Sequence, residues 1–113
     1  MSINEHTAFV ETFGSSPLIR VLDFFLTYRE FDYPLTEIAE NTSIGWNTLS
    51  TLFPKLLEKE IVIETRRIGR ARLYKLNQKN SVVQKLIEID NIITNKAIDD
   101  ELKDQKLEKN IKE

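Results

Sequence analysis

Hydrophobic positions change their spacing several times along the chain, and each change marks a predicted element. Ala8 to Phe13 reads as a short apolar, helical lead-in closed by Gly14. Ser16 followed by Pro17 is a helix start: a hydroxyl caps free N–H groups, and proline's missing N–H does no harm in the first turn. Leu18, Ile19, Val21, Leu22, Phe24, Phe25, Leu26 and Tyr28 then leave little polar circumference, which predicts a central core helix ending near Glu30. Pro34 limits Phe31 to Leu35 to a brief edge strand or a loop. Thr36 is placed to cap a short helix, Glu37 to Asn41, with Ile38 and Ala39 inward, and Asn41 to Gly45 is turn chemistry.

A third helix is predicted from about Trp46 to Lys59. Leu49, Phe53, Leu56 and Leu57 fall at i, i+4, i+7 and i+8 and define its buried stripe. Ile61 to Arg66 and Ala71 to Leu76 follow as a hairpin, with Arg67-Ile68-Gly69 as a three-residue loop and Gly69 left-handed. Tyr74 and Leu76 share the face that packs on the helices, and Arg72 lies on the same face nearer the tip, in solvent. Asn80 caps a last helix, Ser81 to about Ile98, whose apolar positions cover roughly two thirds of its circumference. One stripe suffices for packing on its own domain, so the second flank predicts another partner, most economically a second copy. The residues assigned to that dimer seam are Val82, Leu86, Ile89, Ile92 and Ile93. Residues 1–98 thus form one domain, and the charged stretch 99–113 is a frayed helix end or a disordered tail. The predicted class is α+β, mostly α.

Composition narrows the chemistry. The 113 residues contain no cysteine, so no disulfide framework or thiolate metal site is available, and the single histidine, His6, lacks companions for a ligand set. No glycine-rich phosphate loop and no nucleophile beside a base is present, so neither an enzyme nor a cofactor is expected. Asp23, Glu30 and Asp32 read as solvated or capping groups. No apolar run approaches the roughly 18 residues of a membrane span, and the N-terminus lacks the basic-then-apolar form of a signal peptide. A cytoplasmic protein is expected.

Net charge is −2, but the charges are segregated. Between Ser43 and Lys79 stand eight basic residues (Lys55, Lys59, Arg66, Arg67, Arg70, Arg72, Lys75, Lys79) against three acids, leaving eight basic residues against fifteen acids elsewhere. A basic cluster of this kind suits a polyanion.

The segment Leu35–Leu76 therefore carries the functional expectation. In a helix-turn-helix the second helix enters the major groove with its N-terminal half facing the bases. The buried stripe leaves Trp46, Asn47, Ser50, Thr51 and Lys55 outward. Asn47 can pair with an adenine edge, Ser50 and Thr51 can bond bases or phosphates, the Thr51 methyl can meet a thymine methyl, and Lys55 suits a phosphate. With no arginine on this face to grip guanine, an A/T-leaning site is expected. Trp46 can pack beneath the turn or lie against a sugar-phosphate, and packing is favoured because its apolar area is large. Pro54 deletes a helix hydrogen bond to Ser50 at about 3 kcal/mol, which predicts a kink or else two shorter helices. Arg67 and Arg70 flank the hairpin tip and are assigned to a narrow minor groove, with Arg66 and Arg72 nearer the phosphates.

The stretches FGSSPLIRVLDFFL, IAENTSIGWNTLSTLFPKLLEKEIV and ETRRIGRARLYKLN resemble the winged helix-turn-helix transcriptional regulators of the MarR and ArsR type, in particular small archaeal-type members, over roughly Phe9 to Asp90. The resemblance implies a homodimer on a pseudo-palindromic double-stranded DNA site, with the recognition helix in the major groove and the hairpin as wing in the minor groove. The cysteine metal-sensing motif of many ArsR-type proteins is absent, so no metal response is implied, and the chain has too few further helices for the larger MarR-type effector region. The alternative is a winged-helix protein-interaction module, an adaptor or antitoxin-like partner, in which the apolar last helix does the work.

Overall fold

The computed structural model describes residues 6–112, with side chains described through Lys106. Thr7 Oγ1 accepts from the Val10 N–H and starts α1 (Ala8–Phe13), which ends where Gly14, at φ +92°, donates to the Val10 carbonyl. Ser16 Oγ accepts from the Ile19 N–H, with Pro17 as the first residue of α2 (Pro17–Thr27). Helix α2 stops three residues short of the predicted Glu30, because the Arg29 Nε turns back to the Leu26 carbonyl at 3.0 Å and satisfies a free helix end. Val21 and Phe25 on this helix are fully buried, as a central element requires.

The brief strand is present as β1 (Tyr33–Pro34), and it runs directly into α3 (Leu35–Thr42). Pro34 occupies the cap position with no side-chain bond. The predicted Thr36 cap is therefore wrong: the helix begins two residues earlier, and Thr36 sits exposed in the first turn. Ser43, left-handed at φ 57°, closes α3, and three residues separate it from α4 (Trp46–Glu58).

Leu49, Phe53 and Leu56 are buried and Leu57 is half-buried, so the predicted stripe is the observed one. Helix α4 runs unbroken across Pro54, which overturns the reading as two shorter helices. Pro54 and Ser50 both lie on the exposed side, where water can take the carbonyl that proline leaves without an intrahelical partner.

Strands β2 (Val62–Ile68) and β3 (Ala71–Leu76) complete an antiparallel sheet in the order β1-β3-β2. The hairpin loop is two residues, Gly69-Arg70, not the expected three, because Ile68 pairs with Ala71. Gly69 is at φ +61° while Arg70 is not positive, the signature of a turn with glycine first, whose twist matches the strands. A one-residue bulge at Thr65 shifts the register: Glu64 opposes Tyr74, yet Arg66 opposes Leu73. Side chains beyond the bulge consequently change faces.

Asn80 Oδ1 accepts from the Val82 and Val83 N–H groups, as predicted, and starts α5 (Ser81–Lys112). Its Nδ2 also donates to the Lys59 and Glu60 carbonyls, tying the start of α5 to the end of α4. The helix continues well past the expected Ile98, through the stretch expected to fray or lose order. That stretch is rich in strong helix formers, and Lys96 pairs with Asp100 one turn on. Val83 is fully buried, and Leu86 and Ile87 pack partly against the same core. Phe9, Phe25, Leu26, Ile38, Leu49, Phe53 and Leu76 form the centre of that core, so all five helices and the sheet share one interior. The fold is α+β and mostly helical, with a small three-stranded antiparallel sheet and a long C-terminal helix.

Candidate nucleic-acid interface

Burial of one stripe on α4 turns the opposite stripe outward, and Asn47, Ser50, Thr51 and Lys55 are all exposed. Thr51 Oγ1 donates to the Asn47 carbonyl at 2.9 Å, so its proton is held within the helix while its methyl and lone pairs stay free. Trp46 is 52% exposed at the first position of α4. Its predicted packing beneath the turn does not occur: Ile44, fully within the core, takes that place. Thr48, exposed beside Asn47, belongs to the same surface and was missed, since the outward set was inferred from the stripe alone.

The four arginines separate into three situations, and the bulge decides which. Arg66 lies on the face of Leu73 and grips Asp32 with both arms of its fork, Nε to Oδ2 at 2.9 Å and Nη2 to Oδ1 at 3.1 Å. Thr65 Oγ1 donates to the same carboxylate at 2.6 Å. These donors, Arg66 first and Thr65 next, hold the Asp32 carboxyl well below its ordinary 3.8, at about 2. Arg66 is therefore a clamp between β2 and the loop before β1, so its guanidinium is already engaged with a carboxylate within the chain.

The bulge sends Arg67 to the other face, with Glu64 and with Arg72 directly opposite. Both guanidiniums lean on the one carboxylate of Glu64, at 3.5 and 3.8 Å, and both remain more than half exposed. Such long, wet contacts are weak and exchange readily for a phosphate. Arg70, in the turn itself, makes no ion pair among the described residues, and neither do Lys55, Lys59, Lys75 and Lys79. Ile68, 57% exposed beside the turn, is a further tip residue that charge counting could not find.

One juxtaposition was not readable from sequence. Arg70 and Arg72 line a shallow recess with Leu35 and Thr36, bringing two arginines of the hairpin next to the uncapped first turn of α3. That end carries N–H groups without helical partners and the positive pole of the helix dipole. The hairpin and α4 are in turn locked together by Phe53 and Tyr74, whose rings meet edge to face at 4.9 Å.

The Asp32 clamp has a testable pH signature. A carboxyl depressed on folding contributes stability that is complete above its ordinary 3.8 and is lost as pH falls through about 2. Asp32→Asn is thus expected to lower stability above pH 3.8, with the deficit shrinking as pH drops towards 2. Urea melts across that window decide it. A deficit that is constant with pH would show that the ionised carboxylate is not what holds the ribbon.

Among the described residues no helix is long and apolar enough to cross a membrane, and no group of three or more metal-ligating side chains is gathered. Comparison with protein-family models, curated proteins and solved structures finds no match to this chain.

Proposed function

We propose that this chain is a sequence-reading, double-stranded DNA-binding transcriptional regulator of the winged helix-turn-helix type, acting as a homodimer. In this reading α3 and α4 are the helix-turn-helix, the exposed stripe of α4 enters the major groove, and the β2–β3 ribbon is the wing. The observation that carries it is the set of five cations, Lys55, Lys59, Arg70, Lys75 and Lys79, that make no ion pair among the described residues and stand on the same stretch as the exposed polar stripe of α4. Arg70, with Arg67 and Arg72, takes the minor groove and its flanking phosphates, and Ile68 lies against the sugar edges. The uncapped start of α3 receives a phosphate.

The dimer reading rests on α5. Val82, Ile89 and Ile92 are exposed at 56%, 39% and 66%, and at 100° per residue they lie within about 80° of one another. Leu86 and Ile93 are half-buried and border this strip, so the seam is narrower than the sequence suggests: three residues face out, and Leu86 is shared with the core.

Selection from a random duplex pool, followed by sequencing, tests the reading. Two inverted half-sites about 10 base pairs apart are expected. Asn47→Ala or Ser50→Ala is expected to change the preferred base pair at one position by about 1–3 kcal/mol while leaving the salt dependence of binding as it was. A uniform loss over all sequences would instead make these residues phosphate contacts. The exposed apolar residues Ile98 and Leu102, further along α5, favour a second reading as a protein-interaction module. Recovery of no enriched sequence, together with a stoichiometric protein partner, would select it.

A further inference from the structure

Arg20 and Asp23 stand one helical turn apart on α2 and do not pair with each other. Arg20 Nη1 donates instead to the Thr42 carbonyl at 3.1 Å and the Ser43 carbonyl at 3.5 Å, across the end of α3. Asp23 Oδ1 accepts from Thr7 Oγ1 at 2.6 Å, at the start of α1. Between the two lies a recess of about 340 Å³, walled by Phe24 and Tyr28 and bounded by α1, α2 and the end of α3. Arg20 is among the lining residues, half-buried, while its Nε is enclosed within the protein and has no hydrogen-bond partner among the described residues.

The recess has the volume of a small-ligand site, at the lower end of the range of roughly 300–1,000 Å³. Arg20 and Asp23, a cation and a carboxylate, both line it. Side chains three apart on a helix have Cβ atoms about 5–6 Å from each other, a gap that a small molecule with adjacent opposite charges can span. Apolar and aromatic surface lies beside both. Burial raises the Asp23 carboxyl above its ordinary range, with the nearby Asp90 adding to the rise, so a cation placed there relieves an existing electrostatic penalty.

We propose that this recess is a binding site for a free α-amino acid, whose carboxylate meets Arg20 and whose ammonium meets Asp23. The side chain of the ligand lies against Phe24 and Tyr28. Because the same guanidinium holds the Thr42 and Ser43 carbonyls, occupancy fixes the turn between α3 and α4. The consequence for DNA rests on the function proposed above, whereas the site and its hold on the turn do not, and they are tested without DNA.

The experiment is thermal denaturation of the full chain with each of the twenty L-amino acids at millimolar concentration. At about ten times its Kd, a bound amino acid is expected to raise Tm by on the order of 5 °C. Its deaminated analogue and its carboxamide, each lacking one charge, are expected to give no shift. Asp23→Asn keeps the acceptor for Thr7 and is expected to fold and to lose the response. In amide NMR spectra of the unaltered protein, the ligand is expected to move Ser43, Ile44 and Gly45. Absence of any Tm shift, an equal shift with the deaminated analogue, or a full response in Asp23→Asn overturns the site. Binding that leaves those three amides in place overturns its link to the turn.

Discussion

Replacing Arg67 and Arg70 together with alanine is expected to weaken binding to every duplex, preferred or not, by roughly 10- to 100-fold near 0.1 M salt. The two arginines differ in what they give up. Arg70 stands in the turn with no ionic partner among the described residues, so its removal is a plain loss of one phosphate contact. Arg67 first has to leave Glu64, but at 3.5 Å and 59% exposure that contact is weak and does not compete with a phosphate. Each lost phosphate contact removes about 0.9 from the slope of log K against log salt, so the double variant is expected to flatten the slope by roughly 2 per subunit. Binding titrations at several salt concentrations measure both quantities. Unchanged affinity and slope would remove the ribbon from the interface. Arg66→Ala makes the contrast: it breaks the clamp on Asp32, so its main effect is expected on stability and only secondarily on the salt slope.

That contrast between Arg66 and its neighbours is where the sequence stopped being informative. The alternation of a strand places 66 and 72 on faces that depend on register, and a single extra residue at Thr65 reverses the assignment for everything beyond it. Nothing local announces a bulge at a threonine. Its hydroxyl has to be seen bonding Asp32 and the Leu73 carbonyl before the shift makes sense. Asp32 itself, some thirty residues away in the chain, read as a solvated acid because its partner is visible only in three dimensions. The recess joining Arg70 and Arg72 to the start of α3 was hidden for the same reason.

Features set by periodicity and local capping were readable. Ser16 with Pro17, Asn80, the buried stripe of α4 and the brief strand at Pro34 each follow from interactions within a few residues. Trp46 shows the limit of hydrophobicity as a guide. Its area argues for burial, yet the interior beneath the turn is already filled by Ile44, and the indole is left outside. A large exposed aromatic at the head of an exposed polar stripe fits a binding surface better than it fits a core.

Phe53→Ala is expected to have the largest effect on stability, about 3–5 kcal/mol, because a fully enclosed aromatic is removed and its neighbours cannot collapse into the space. Against a total of about 5–15 kcal/mol for a domain, that loss lowers Tm by on the order of 10–20 °C. Phe53 is also the side chain through which α4 reaches its neighbours. Its ring meets Tyr74 of β3 at 4.9 Å and Phe25 of α2 at 6.3 Å, so it fixes how the exposed stripe of α4 sits relative to the ribbon. Val83→Ala, a truncation in the same core but on α5, separates the two consequences. At a temperature where both variants are folded, Phe53→Ala is expected to bind DNA more weakly than the unaltered protein, and Val83→Ala to bind equally well. Equal binding by both variants would mean that the alignment of helix and ribbon does not depend on the Phe53–Tyr74 contact, and the two would then engage DNA as independent parts.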